Sequence, residues 1–374
     1  MKILFILELF QPHIGGVEIL FDNLIKGLIS KGNSVTVLTS KFKKDLPSYE
    51  KISDKLEIYR VGHNRYDFMF YCISKGIKLA KKCDIIHTTT YNAAIPASII
   101  SKITNKKIVI TVHEIFGKLR YRFLGWKGFF FKLYESLIFK FNFDKFICVS
   151  NYTKNSLRIY CGLEDNKLIT VYNGLDYDNR NLDNFKQEDI EKIIKKYNLK
   201  DNYIGLFFGR SGISKGLKYF IQAIPDIIKK IPKFKAILIV SESSNNKADY
   251  ERKLINKLNI KNNIIRVPGV KYKELGNYIL ASDFVIVPSL VEGFGFSAAE
   301  TCTLNKNLIV SNIASLPEVV SGKINFVEPA NSEDISNKVV NFYNNKYQII
   351  QKKEFLWSSN VNQTLDIYKE ILGK

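Results

Sequence analysis

No C-x-x-C pair occurs in the sequence, and its five cysteines (Cys72, Cys83, Cys148, Cys161, Cys302) are scattered and odd in number. That excludes a disulfide framework or a cysteine zinc site and leaves ordinary reduced thiols. Histidine is also scarce. The four residues His13, His63, His87 and His113 show neither H-E-x-x-H nor i, i+4 spacing, so no metal is expected. No apolar run approaches the roughly 18–20 residues of a membrane span. The opening run Met1–Leu7 is broken by Glu8 and lacks a small-residue cleavage site. It reads as a first strand rather than a signal peptide, and a cytoplasmic location is expected. There is no repeat, low-complexity segment or Pro- or Ser-rich linker.

The chain has 374 residues, too many for one ordinary core and suited to two domains. Its 46% apolar and 25% charged content is that of a globular protein. The net charge of +20 implies an anionic partner: nucleic acid, an anionic membrane surface or a phosphorylated ligand. A lysine-rich composition bias is the plain alternative, because the basic residues are spread rather than blocked.

Short β-branched runs alternate with helical stretches. Strands are predicted at 2–7, 34–39, 56–61, 84–87, 107–112, 145–149 and 168–171. Helices are predicted between them, as at 17–30 and 92–103. The stretch 173–200 is polar and carries no strand signal. Strands resume at 203–208, 235–240, 264–267, 284–287, 308–311 and 324–327, and a helix is predicted at 217–228. Such alternation gives βαβ units and parallel sheets with helices on both faces. Two Rossmann-like, doubly wound α/β domains are therefore expected, with ligands outside the carboxyl ends of the strands, in a cleft between facing domains.

The richest motif follows the apolar run Phe284–Val287 and Pro288. Glu292-Gly293-Phe294-Gly295-Phe296-Ser297-Ala298-Ala299-Glu300 reads as a loop opening a helix. Loop amides and a helix N-terminus form an anion site. Glu292 and Glu300 put carboxylates beside it, which serve poorly for phosphate but well for hydroxyls. A ligand with both, such as a nucleotide sugar, suits the combination. Gly209-Arg210-Ser211-Gly212-Ile213-Ser214-Lys215-Gly216 is a second glycine-rich turn before a helix, and it is not a Walker loop. Arg210 suits bidentate phosphate binding and Lys215 a point charge, together offsetting a diphosphate without a metal. Gly15-Gly16-Val17-Glu18 opens the first helix and allows close backbone approach, or is a tight turn only. No acidic residue ends the second strand, which argues against a dinucleotide site. His113-Glu114 ends a strand where ligands bind, although a lone histidine there is more often structural. Asp176-Tyr177-Asp178, a metal-holding pattern in some sugar transferases, reads here as a solvated turn.

Residues 118–146 are dense in aromatics and cations. Trp126, Phe130, Leu133, Leu137 and Phe141 form a helical stripe expected to face the core. Phe129, Phe131 and Phe139 lie off it, among Arg120, Arg122, Lys127, Lys132 and Lys140. Apolar groups with cations suit an anionic membrane surface. Stacking of bases has no accompanying RNA-binding motif, so no nucleic acid is expected.

Taken in order, these motifs resemble glycosyltransferase family 4, retaining sugar transferases of the GT-B fold, over essentially the whole chain. The pieces are Gly15–Glu18, His113-Glu114, Val149-Ser150-Asn151, Val171–Asp176, Gly209-Arg210 with Lys215-Gly216, Pro288-Ser289 followed by Glu292-x7-Glu300, and Leu316-Pro317-Glu318. Trp357 and Tyr368 match the segment that crosses back onto the first domain. The resemblance implies an N-terminal acceptor-side domain over 1–173, completed by 355–374, and a nucleotide-sugar-binding domain over 174–354. It implies that Arg210 and Lys215 neutralise the donor diphosphate, with Gly209 in the same turn. Glu300 would accept from the ribose hydroxyls, and Glu292 would sit beside the transferred sugar. Phe294 and Gly295 would offer amides, Gly15 and Gly16 would let the first domain approach the diphosphate, and His113 would assist near the reacting carbon. His113-Glu114 departs from the His-Asp of many members, which leaves the orienting partner open. The expected activity is a metal-independent retaining hexosyl transfer, without a cofactor, to a glycan or lipid-linked acceptor in cell-surface polysaccharide or glycolipid synthesis. The enzyme would be peripheral on the inner face of the cytoplasmic membrane. A nucleotide-sugar epimerase of the same fold, or a non-catalytic nucleotide-sugar or nucleic-acid binder, is the alternative.

Overall fold

A computed structural model describes residues 1–374 except 14, 117–124, 211 and 242–244. Ser211 of the glycine-rich turn, and Arg120 and Arg122 of the aromatic segment, thus lie outside the described residues. The chain divides into two compact units, Met1–Gly174 with Phe355–Lys374, and Leu175–Glu354.

The first unit carries an eight-stranded sheet. Its strands are β1 (Lys2–Ile6), β2 (Ser34–Ser40), β3 (Tyr49–Ser53), β4 (Leu56–Val61), β5 (Ile85–Thr89), β6 (Lys107–Val112), β7 (Lys145–Cys148) and β8 (Leu168–Thr170). They lie in the order β3-β4-β2-β1-β5-β6-β7-β8, parallel except for the β3–β4 pair. The central strands are apolar on both faces because helices cover both. Ile3 to Leu7 are wholly buried. Helix Trp357–Leu372 returns to this unit. Tyr368 is buried against His87, its hydroxyl hydrogen-bonded to Nδ1, and Asn360 Nδ2 donates to Tyr172 O at 2.8 Å.

The second unit carries a seven-stranded sheet. Its strands are β9 (Tyr203–Arg210), β10 (Phe234–Ser241), β11 (Ile264–Val267), β12 (Phe284–Val287), β13 (Asn307–Ser311), β14 (Gly322–Val327) and β15 (Gln348–Ile350). The order is β11-β10-β9-β12-β13-β14-β15, with only the β14–β15 pair antiparallel. β9 has β10 on one side and β12 on the other, so the strand order reverses at β9–β12. Such a switch point opens a crevice at the carboxyl ends. The same reversal occurs in the first unit between β1 and β5.

Three features depart from the sequence reading. β3 and β15 are short, largely exposed edge strands whose composition (YEKIS, QII) gives no alternation to detect. The polar stretch 173–200 contains a helix, Gln187–Lys196, whose buried side is little more than Ile193. The third departure is a reversal. The stripe expected to face the core points outward on helix Gly128–Ile138: Trp126 is 73% exposed, and Phe130, Leu133 and Leu137 are exposed with it. Only Phe141, beyond the helix, is half-buried. The face turned inward carries Glu135, Ile138 and Phe139. Glu135 tolerates burial because Tyr91 Oη (2.9 Å) and the Phe116 amide (3.2 Å) donate to its Oε1. Periodicity located a stripe, but hydrogen-bond donors elsewhere in the fold chose the face.

Candidate active site

In the second unit the loops after β9 and β12 are stitched together. The Leu290 amide donates to Ser214 O at 2.7 Å. Gly216, with φ +69°, closes the turn Ile213–Lys215, and a Cβ there would overlap the carbonyl oxygen of Pro288. Only glycine permits that approach. The turn therefore carries Lys215 onto the second loop. Its Nζ donates to Glu292 Oε1 at 2.7 Å, and Ser289 Oγ donates to the same oxygen at 2.8 Å. Ser315 Oγ holds the Glu292 carbonyl at 3.2 Å. Glu292 is buried and Lys215 half-buried, so their attraction is screened less than on an open surface. Lys215, expected to neutralise a diphosphate, is thus paired with the glutamate assigned to the sugar. Arg210, the last residue of β9, is exposed and makes no ion pair among the described residues.

Gly295, with φ +92°, N-caps helix Phe296–Thr303. The amides of Ala298 and Ala299 both donate to Gly295 O at 3.0 Å. Those of Phe296 and Ser297 have no intrahelical acceptor and point out of the helix start, the geometry of an anion site. Phe294 is buried, its ring edge-on to Phe296 at 5.2 Å. Glu300, in the second turn, is 9% exposed. It is already engaged: Arg180 Nη2 donates to Oε2 at 3.3 Å and Tyr272 Oη to Oε1 at 3.2 Å. Burial raises its pKa, and the neighbouring Arg180 is the largest opposing influence. Gly209, Lys215, Glu292, Phe294, Gly295 and Glu300 are thus gathered at the β9–β12 switch point.

Arg180 and Tyr272 play no part in the sequence reading, and Ser289 appears there only within the Pro288-Ser289 motif, with no role given to it. Arg180 stands among several cations and amides of a polar stretch, with nothing in its neighbours to single it out. Asp176 forms the expected turn, accepting from the Asn179 amide at 3.0 Å and from Asn179 Nδ2 at 2.6 Å.

In the first unit Gly15, Gly16 and His113 lie at the carboxyl edge of the sheet. Gly15 caps helix Gly16–Ser30 in extended geometry. Glu18 folds back over it, and its Oε1 lies 2.9 Å from His13 Nδ1, so a carboxylate of the chain already faces this helix start. His113 follows β6, with Nε2 2.9 Å from Thr89 Oγ1. The Thr89 hydroxyl reaches Thr90 O at 3.2 Å as well as this ring nitrogen, so the contact is kept with either tautomer of the histidine. Burial lowers the pKa of His113 to about 4, so it is neutral at physiological pH. His87, between Tyr368 and Thr111, is lowered to about 3, first by burial and then by His113.

The family model described as Glycosyltransferase Family 4 matches residues 14–179, and that described as Glycosyl transferases group 1 matches residues 189–358. An uncharacterized glycosyltransferase of Methanocaldococcus jannaschii is 28% identical, covering 97% of each chain. The phosphatidylinositol N-acetylglucosaminyltransferase GPI3 subunit of Saccharomyces cerevisiae is 21% identical, over 97% of this chain and 82% of its own. Among solved structures, Anabaena HepE in complex with UDP and glucose superposes with a TM-score of 0.78 at 18% identity, over 98% of this chain and 99% of that one. Both doubly wound units are those of the GT-B fold. The chain belongs to glycosyltransferase family 4.

Proposed function

We propose that this glycosyltransferase takes its sugar from a nucleotide diphosphate donor, retains the configuration at the transferred carbon, and needs no metal to hold the diphosphate. The observation that carries this reading is the stitched pair of loops at the β9–β12 switch point. They carry Arg210, which makes no ion pair among the described residues, and Lys215, paired with Glu292, to the same switch point as the helix start at Phe296. Breaking the bond between the sugar and the phosphate develops negative charge on the leaving diphosphate and positive charge on the ring. Fixed cations and amides aimed at the diphosphate stabilise that separation. When Lys215 turns from Glu292 to the diphosphate, the Glu292 carboxylate is released toward the sugar. Glu300 takes the ribose hydroxyls. The UDP and glucose of the HepE complex support the donor class.

The acceptor we propose is lipid-linked or membrane-proximal. The yeast relative is named for phosphatidylinositol, a lipid. Helix Gly128–Ile138 presents exposed Phe129, Phe130, Phe131 and Leu133, with Trp126 and Lys127 just before it, an apolar and cationic face suited to an anionic interface. No helix among the described residues is long and apolar enough to cross a membrane.

A screen of nucleotide sugars, varying base and sugar separately, tests the donor. One or more should bind, and should be turned over only with an acceptor present and undiminished by EDTA. Conversion of donor without acceptor would mark an epimerase instead. Vesicle flotation tests the surface. Binding should favour anionic over neutral vesicles and be lost with Trp126→Ser plus Phe130→Ser, and equal binding to both vesicle types would refute it.

A further inference from the structure

Arg180 is 2% exposed, and the only hydrogen bond of its side chain among the described residues is from Nη2 to Glu300. Its Nε and Nη1 are buried without a partner. The guanidinium lies 4.3 Å from the centre of the Tyr272 ring, and the Tyr272 hydroxyl holds the other oxygen of Glu300. Helix Tyr272–Ala281 leaves room for this through Gly276, where a Cβ would overlap Phe185 and come within 3.2 Å of Arg180 Nη1. A buried guanidinium with two unpaired nitrogens is costly, and the contacts that hold it here are the Tyr272 ring and the Glu300 carboxylate.

The arithmetic of lone pairs says how. An ionised carboxylate offers about four acceptor sites, two on each oxygen. Arg180 takes one on Oε2 and Tyr272 one on Oε1. One site remains on each oxygen, enough for the two hydroxyls of a ribose. A protonated carboxyl has lost an acceptor and gained a donor, and it no longer fits both. We propose that Arg180 is a positioning residue for donor specificity: it keeps Glu300 ionised and, with Tyr272 as a second tether, turns its free lone pairs toward the 2′- and 3′-hydroxyls. This rests on the assignment of Glu300 to the ribose. The groups facing Glu300 are Arg180 and Tyr272, with Asp176 pushing its pKa upward, so among the described residues Arg180 supplies the positive charge there.

The test is calorimetric titration of the full chain with UDP, GDP and ADP and their 2′-deoxy forms, at pH 6 and pH 8. Wild type should prefer a ribonucleotide by about 10- to 100-fold at both values. Glu300→Gln should collapse that preference. If it does not, the ribose assignment itself is wrong. Arg180→Gln should reduce the preference to within about threefold at pH 6 and recover part of it at pH 8, because the unsupported carboxyl then titrates closer to neutrality. Arg180→Lys should restore it at both. A full preference in Arg180→Gln at both pH values, with Glu300→Gln collapsed, overturns the inference and leaves the ribose assignment standing. If Arg180→Gln does not fold, Tyr272→Phe decides. It should lose about threefold in preference, more at pH 6 than at pH 8, and an unchanged profile overturns the proposal.

Discussion

The two switch points of this molecule share one topology and differ in electrostatics. At β9–β12 the loops are stitched through backbone and side chain, with two ion pairs, Lys215–Glu292 and Arg180–Glu300, and Arg210 as a third cation at the end of β9. At β1–β5 the ionisable groups are Glu8, paired with Arg65 at 3.2 Å, Glu18 beside His13, and the neutral histidines His87 and His113. The first arrangement suits an anion and hydroxyls. The second sets two carboxylates and neutral histidines about one cation, Arg65. One α/β frame thus carries a different charge at each switch point, because the loops at the carboxyl ends of the strands, rather than the strands, hold the charge.

Removing Arg210, which makes no ion pair among the described residues, should break this contrast hardest. Arg210→Ala is expected to lose ~3–4 kcal/mol of transition-state stabilisation, roughly 10²–10³ in turnover, with unchanged thermal unfolding. Wild-type turnover in that variant would remove the diphosphate from the site.

Acid should separate the two units next. His87 and His113 have folded pKa values below their unfolded value of about 6.5. As pH falls below that value the unfolded chain binds protons that the folded unit refuses, so stability falls, for His113 down to about pH 4 and for His87 to about pH 3. By pH 5 this is about 2 kcal/mol for each histidine. In the second unit, burial raises the pKa of Glu251, Asp283 and Glu300. The folded state there takes protons first, so stability rises as pH falls through those values. Glu8, also raised by burial, offsets part of the loss in the first unit. Hydrogen exchange on the full chain at pH 7 and pH 5 should show protection lost in the first unit. Equal loss in both units would remove the contrast.

The smallest expected effect sharpens the Lys215–Glu292 pair. Glu292→Gln frees Lys215, so free nucleotide diphosphate should bind equally well or up to about threefold tighter while sugar transfer falls. A tenfold weaker nucleotide would mean that Glu292 holds the nucleotide and not the sugar.

The sequence by itself determined the framework. β-branched runs such as Phe284–Val287 must be buried on both faces, so alternation with helices compels two parallel sheets. Glycines such as Gly216 and Gly295 mark where backbone must pass close to backbone. Those constraints are local, and composition and spacing display them. The two antiparallel edge strands escaped because an exposed edge needs no apolar pattern. Which face of 128–138 turns inward, which carboxylate Lys215 holds, and that Arg180 lies against Glu300 were decided only by tertiary structure. Each depends on partners far apart in the chain, 120 residues in the case of Arg180 and Glu300. A buried charge takes its value from what faces it, and no spacing rule within one segment contains that information.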